Sequence, residues 1–169
     1  MAAPKQHQHR RAAPWYAGGL RFSCQRCGRC CTGDPGYVWV DRKAIHEIAQ
    51  FLKMAPDDLE SRFCRRVFWR ISLLERPNGD CIFFTPAGCR IYPVRPAQCK
   101  SFPFWEQSLK SRADWEDLRT RCAGVGKGRL YTREEIEAIR DGKAAATRPA
   151  APKIRRADEH RSRGDGYPR

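Results

Sequence analysis

Four cysteine thiols fall within eight positions of one another in FSCQRCGRCCTG, at Cys24, Cys27, Cys30 and Cys31. One CxxC can be a redox pair, but extension to CxxCxxC supplies three sulfurs from a single loop, as iron-sulfur binding loops do. Gly28 suits a tight turn there, because glycine accepts positive backbone angles. Cys30 and Cys31 are adjacent, and successive side chains point apart unless the backbone bends sharply. One of the two is therefore expected to serve a second metal or another edge of a cluster. Bacterial ferredoxins place the fourth cysteine three residues further on and follow it with proline, and this chain does neither, which disfavours a simple ferredoxin.

Cys81, Cys89, Cys99 and Cys122 follow at wide spacing, and the prolines among them lower the entropy cost of gathering their sulfurs. The two groups make eight ligand candidates, enough for two all-thiolate zinc sites or for one or two iron-sulfur clusters, and spacing does not choose. Cys64 is the remainder and is expected to be a buried or spare thiol on a helix. Arg26, Arg29, Arg90, Lys100 and Arg121 lie near ligand candidates, where positive charge offsets thiolate charge. Phe83, Phe84, Tyr92, Phe102, Phe104 and Trp105 are expected to form a dry wall around the sulfurs or an ordinary core. His46 is expected to have a helix-surface role, no Ser-His-Asp or Cys-His set is present, and AGVGKG lacks the GxxxxGK[ST] of a phosphate loop.

Compartment decides how nine cysteines are read. The start, MAAPKQHQHRRAAPW, has no apolar run of the kind a secretory signal needs, and no stretch reaches the length of a membrane span. A cytoplasmic protein without membrane contact is expected, in which thiols stay reduced and bind metal; disulfide pairing is the alternative. The formal charge of +14 falls to roughly +10 with eight thiolates and two divalent ions. That balance leaves room for an anionic or nucleic-acid partner held through basic tails.

At 169 residues the chain fits one domain. Residues 1–14 and 141–169 are basic and poor in large apolar residues, so they read as flexible tails around a cysteine-cluster domain at 15–140. Val38, Trp39 and Val40 form an extended entry to a helix that starts near Asp41, with Ile45, Ile48, Ala49 and Leu52 on one face. A second helix starts at Pro56 and runs through DDLESRFCRRV. FWRISLLE and CIFF flank Asn78-Gly79 and predict a two-stranded ribbon that delivers Cys81. Thr132 and Glu135 have capping-box spacing for a last helix, TREEIEAIR. The fold class is α+β, small, loop-rich and metal-stabilised, with two N-terminal helices, a short ribbon and converging cysteine loops.

These residues resemble the YkgJ-like cysteine cluster family, a zinc- or iron-chelating domain with a CxxCxxCC signature. The resemblance rests on FSCQRCGRCCTG, DRKAIHEIAQFLKMAPDDLESRF, CIFFTPAGCRIYPVRPAQCKSFPFW and RCAGVGKG, about residues 21–128. It implies that Cys24, Cys27, Cys30, Cys31, Cys81, Cys89, Cys99 and Cys122 bind zinc or iron, an iron-sulfur cluster being one form, while Cys64 stands outside the set. Ile91, Tyr92, Arg95 and Pro96 match the family's IYxxRP element, with an expected role in shaping the loop before Cys99. Because the family includes proteins similar to flagellin lysine N-methylase, a methylase-like or redox enzyme is one alternative, and a metal-stabilised nucleic-acid-binding module is another.

Overall fold

The computed structural model describes residues 13–33 and 35–144, so most of both expected tails lies outside the described residues. The indole of Trp15 donates to the Leu109 carbonyl at 2.7 Å, which ties the start of the fold to a segment more than ninety residues away. Strand β1 (Leu20–Phe22) follows, then the first cysteine loop, which closes in a 3₁₀ turn over Arg29–Cys31.

Strand β2 (Trp39–Val40) leads into helix α1 (Arg42–Leu52). Asp41 caps that helix by accepting from the Ala44 amide at 2.7 Å, and Ile45, Ile48 and Ala49 form its buried face, as the 3.6-residue spacing predicts. Helix α2 (Pro56–Phe63) begins with proline at its first turn, where a missing amide is harmless. It ends earlier than expected. Cys64–Val67 is strand β3, which pairs antiparallel with β4 (Arg70–Leu73), and β4 pairs on its other side with β2. The ladder on β4 overrides helix propensity here and leaves Cys64 on a strand rather than on a helix.

The expected ribbon is also displaced. The hairpin turn is Phe68-Trp69, inside the FWRISLLE run. The Asn78-Gly79 turn exists, closed by Arg76 N to Asp80 O at 2.7 Å, but it carries only a short pairing, with a bridge between Glu75 and Cys81. It does deliver Cys81. A tight hairpin of β5 (Phe84–Thr85) and β6 (Gly88–Cys89) delivers Cys89.

The prolines leave room only for a 3₁₀ turn at Tyr92–Val94 and the short helices α3 (Ala97–Ser101) and α4 (Glu106–Leu109). Helix α5 (Arg112–Arg121) was not expected; Ser111 caps it by accepting from the Asp114 amide. Strand β7 (Arg129–Tyr131) returns to pair with β1, Leu20 opposite Tyr131. Helix α6 (Arg133–Arg140) closes the fold with both arms of the Thr132/Glu135 capping box formed.

Two apolar clusters result. One gathers Tyr16, Leu20, Phe22, Phe104, Trp115 and Ile136 around β1, β7, α5 and α6. The other gathers Ile45, Ile48, Leu59, Leu73, Phe83 and Ile91 around α1, α2 and the three-stranded sheet. Cys24 and Cys122 pack against the first cluster, and Cys81 and Cys89 pack against the second. The architecture is α+β, as expected. Among the described residues no helix is long and apolar enough to cross a membrane.

Candidate metal centre

Each arm of the cysteine loop is pinned by backbone. On one side, Ser23 N donates to Gly124 O at 3.1 Å and Phe22 bridges Val125, which carries Cys24 to the end of α5, where Cys122 stands as the C-terminal cap. On the other side, Cys81 N donates to Cys31 O at 2.8 Å. Gly28 adopts φ 73° at the start of the 3₁₀ turn, and a Cβ there would fall onto the Phe84 ring. The tight turn expected of Gly28 is therefore matched by a close approach that only glycine permits. Helix α3 is held against β2 by Gln98, which accepts from Trp39 N at 3.0 Å and donates to Tyr37 O at 2.9 Å. Cys99 is the next residue.

These anchors place Cys24, Cys27, Cys30, Cys31, Cys81, Cys89, Cys99 and Cys122 around one cavity of about 310 Å³. The two groups, separated by fifty residues of sequence, share it. Cys64 does not line it; it is buried in the second apolar cluster. All nine thiols are free. Among the described residues no histidine or carboxylate lines the cavity, so the metal-donor side chains found there are cysteines. His46 is exposed on α1.

Cys30 and Cys31 behave differently from the expectation for neighbours. The 3₁₀ turn bends the chain so that their sulfurs lie 4.0 Å apart. Two thiolates on one tetrahedral zinc stand about 3.8 Å apart, given Zn–S bonds of about 2.3 Å. Among the described residues no three Cys, His, Asp or Glu side chains already close around a point at metal-binding geometry. The fit lies in donor chemistry and shared enclosure.

Protons are already unevenly held. Sulfur–sulfur contacts with Cys31 lower Cys30 and Cys89 to about 7 each, while Cys31 is itself raised by the same contacts. The Arg95 guanidinium assists the lowering at Cys30 and Cys89. Burial pushes Cys99 up to about 12 and raises Cys81 and Cys122. Lowered thiols grouped beside a raised one favour negative charge at the centre, which attracts a cation.

Arg26, Arg29 and Lys100 line the cavity as their sequence neighbourhood suggested, whereas Arg90 and Arg121 do not. Arg95 does. Its Nε donates to the Tyr92 carbonyl at 3.0 Å within the loop before Cys99, the contact a loop-shaping role requires. Its guanidinium also stacks 3.7 Å from the Tyr92 ring centroid, with Arg26 over the same ring at 4.6 Å. Tyr92 and Phe102 contribute to the wall, while Phe83 and Phe104 are core residues away from it.

A cavity walled by eight free thiols, with arginine and lysine side chains among its lining, is a cysteine-cluster site. The chain belongs to the CxxCxxCC family: the model described as "Putative zinc- or iron-chelating domain" matches residues 23–123 and so takes in all nine cysteines. A curated relative, the uncharacterized protein MJ0661 of Methanocaldococcus jannaschii, is 34% identical over 83 residues. That match covers 48% of this chain and 43% of the relative, less than half the length of either. No solved structure matches the chain.

Proposed function

We propose that this protein is a cytoplasmic chelator that holds zinc or iron as thiolates of Cys24, Cys27, Cys30, Cys31, Cys81, Cys89, Cys99 and Cys122. The observation that carries this reading is the gathering of those eight thiols, and not Cys64, around one all-sulfur cavity. One four-coordinate ion would use half of them, so the reading is a centre with more than one metal atom, either paired zinc ions or an iron-sulfur cluster. The metal supplies cross-linking of thiolates and, if iron, electron transfer. Cys31, with Cys30 and Cys89 as its hydrogen-bonded neighbours, anchors one side; Cys24 and Cys122, against the first apolar cluster, anchor the other. Arg26, Arg29, Arg95 and Lys100 balance the thiolate charge. Free thiols throughout fit a reducing compartment.

Purification without oxygen, followed by the visible spectrum and by assays of iron, zinc and acid-labile sulfide, tests the proposal. More than one metal atom per chain is expected, with Cys31→Ser and Cys89→Ser both losing metal. A folded protein that carries no metal and takes up none on addition of zinc or iron with sulfide would overturn it.

A further inference from the structure

Away from the thiols, the tip of the β3–β4 hairpin is built against the usual rules. Its two-residue turn is Phe68-Trp69, and Phe68 is held at φ 52°, a left-handed conformation that favours glycine or asparagine in such turns. Both rings stand almost entirely in water, 86% and 85% exposed, with centroids 5.9 Å apart. Neither belongs to either apolar cluster. Backbone strain and exposed aromatic surface are features that concentrate at binding surfaces.

The surroundings of the tip are cationic. Trp69 lines a cleft of about 810 Å³ that runs past Trp39 and past Arg42, Lys43, Arg66, Arg70, Arg95 and Lys100, with Asp41 and Glu47 as its only carboxylates among the described residues. Glu60, outside that lining, pairs with Arg42 and Arg66, and Glu47 pairs with Lys43. The Arg70 guanidinium carbon lies over the Trp39 ring, 3.8 Å from its centroid, and Trp39 is backed by Tyr37 at 4.7 Å and 16°. A guanidinium fixed on a ring keeps its edge N–H groups for acceptor oxygens. Exposed ring faces beside a groove of arginines and lysines combine base stacking with phosphate contacts.

We infer that the β3–β4 tip and the adjoining cleft bind single-stranded nucleic acid, with bases stacking on Phe68 and Trp69 and phosphates lying along the cationic groove. Two other occupants fit less well. A bilayer surface does not fill a concave groove, and a protein partner calls for a contact centre depleted in charge rather than one rich in it. Arg95 and Lys100 border both this cleft and the thiol cavity, whereas Trp69, Arg42, Lys43, Arg66 and Arg70 line the cleft alone, and the contact falls on the folded domain rather than on the terminal segments.

The test uses the full chain, purified with its metal, and the fluorescence anisotropy of a labelled single-stranded oligouridylate at low and moderate salt. Binding that weakens as salt rises is expected. Trp69→Ala is expected to weaken it by about tenfold or more, and Trp69→Tyr to restore most of it, since each stacked base contributes at that scale. Phe68→Gly is expected to weaken binding while leaving the melting temperature unchanged or higher, because it relieves the left-handed strain. Unaltered binding by Trp69→Ala would show that other basic segments carry the contact and would overturn the inference. So would capture by phosphatidylserine vesicles without oligonucleotide binding, or no binding at all.

Discussion

Nine thiols of one chemical type are separated by their surroundings. Cys64 is enclosed by apolar neighbours, and burial together with the Glu60 carboxylate pushes it up to about 11. It is the thiol expected to remain protonated when the other eight bind metal. Cys64→Ala should therefore keep the full metal content, at about 1 kcal/mol of stability for the lost packing, by metal assay and thermal melting. The pH dependence has a definite sign. An unfolded thiol ionises near its ordinary value of 9 while the folded one holds its proton to about 11, so the folded state binds more protons between them. Stability contributed by Cys64 is present below pH 9 and is lost as pH rises toward 11, on the order of 1–2 kcal/mol. Denaturation of the metal-loaded protein at pH 8 and pH 10.5 should show that loss, and Cys64→Ala should abolish it.

Elements rather than single side chains aim the thiols. The loop from Cys24 to Cys31 turns at Gly28 directly under Phe84, so Gly28→Ala would have to move the ring or the turn. That variant is expected to fold with reduced metal content, and full occupancy would show that the turn does not set the site. The helix caps provide a contrasting control: Asp41→Ala and Thr132→Ala should each cost about 1 kcal/mol in chemical denaturation and leave metal content unchanged. These caps were legible because they are local, with the side chain and the amide it accepts from lying three residues apart. Helix α5 was not, since only Trp115 on it is buried and its apolar periodicity is weak; Ser111 and Asp114 were the available signal. The hairpin turn was misplaced because Phe68-Trp69 has none of the residues that mark turns, while Asn78-Gly79 does.

For the molecule as a whole, the thiols sit where the two apolar clusters meet. Phe22, Phe102 and Tyr131 reach the cavity from one side, and Leu73 and Ile91 reach it from the other. A metal centre there would cross-link two small cores. Structural zinc provides roughly 10–16 kcal/mol in peptide systems, against about 5–15 for the whole stability of an ordinary domain. Chelation is therefore expected to lower the melting temperature sharply and to raise amide exchange in β1, β7 and α3 together. A chelated sample with an unchanged melting temperature would count against a structural role for the metal.

The class of donor could be read from the order of residues, because CxxCxxCC places several cysteine sulfurs within reach of one turn whatever the rest of the fold. Spacing also singled out eight cysteines and set Cys64 aside. Whether the early and late groups would meet depended on contacts such as β1 with β7 and Ser23 with Gly124, which join residues about a hundred positions apart and leave no periodic trace. The entry of Arg95 into the cavity and the exposed aromatic tip were decided at the same level. Both depend on which surfaces the folded chain leaves open, and that is a property of packing rather than of any local stretch.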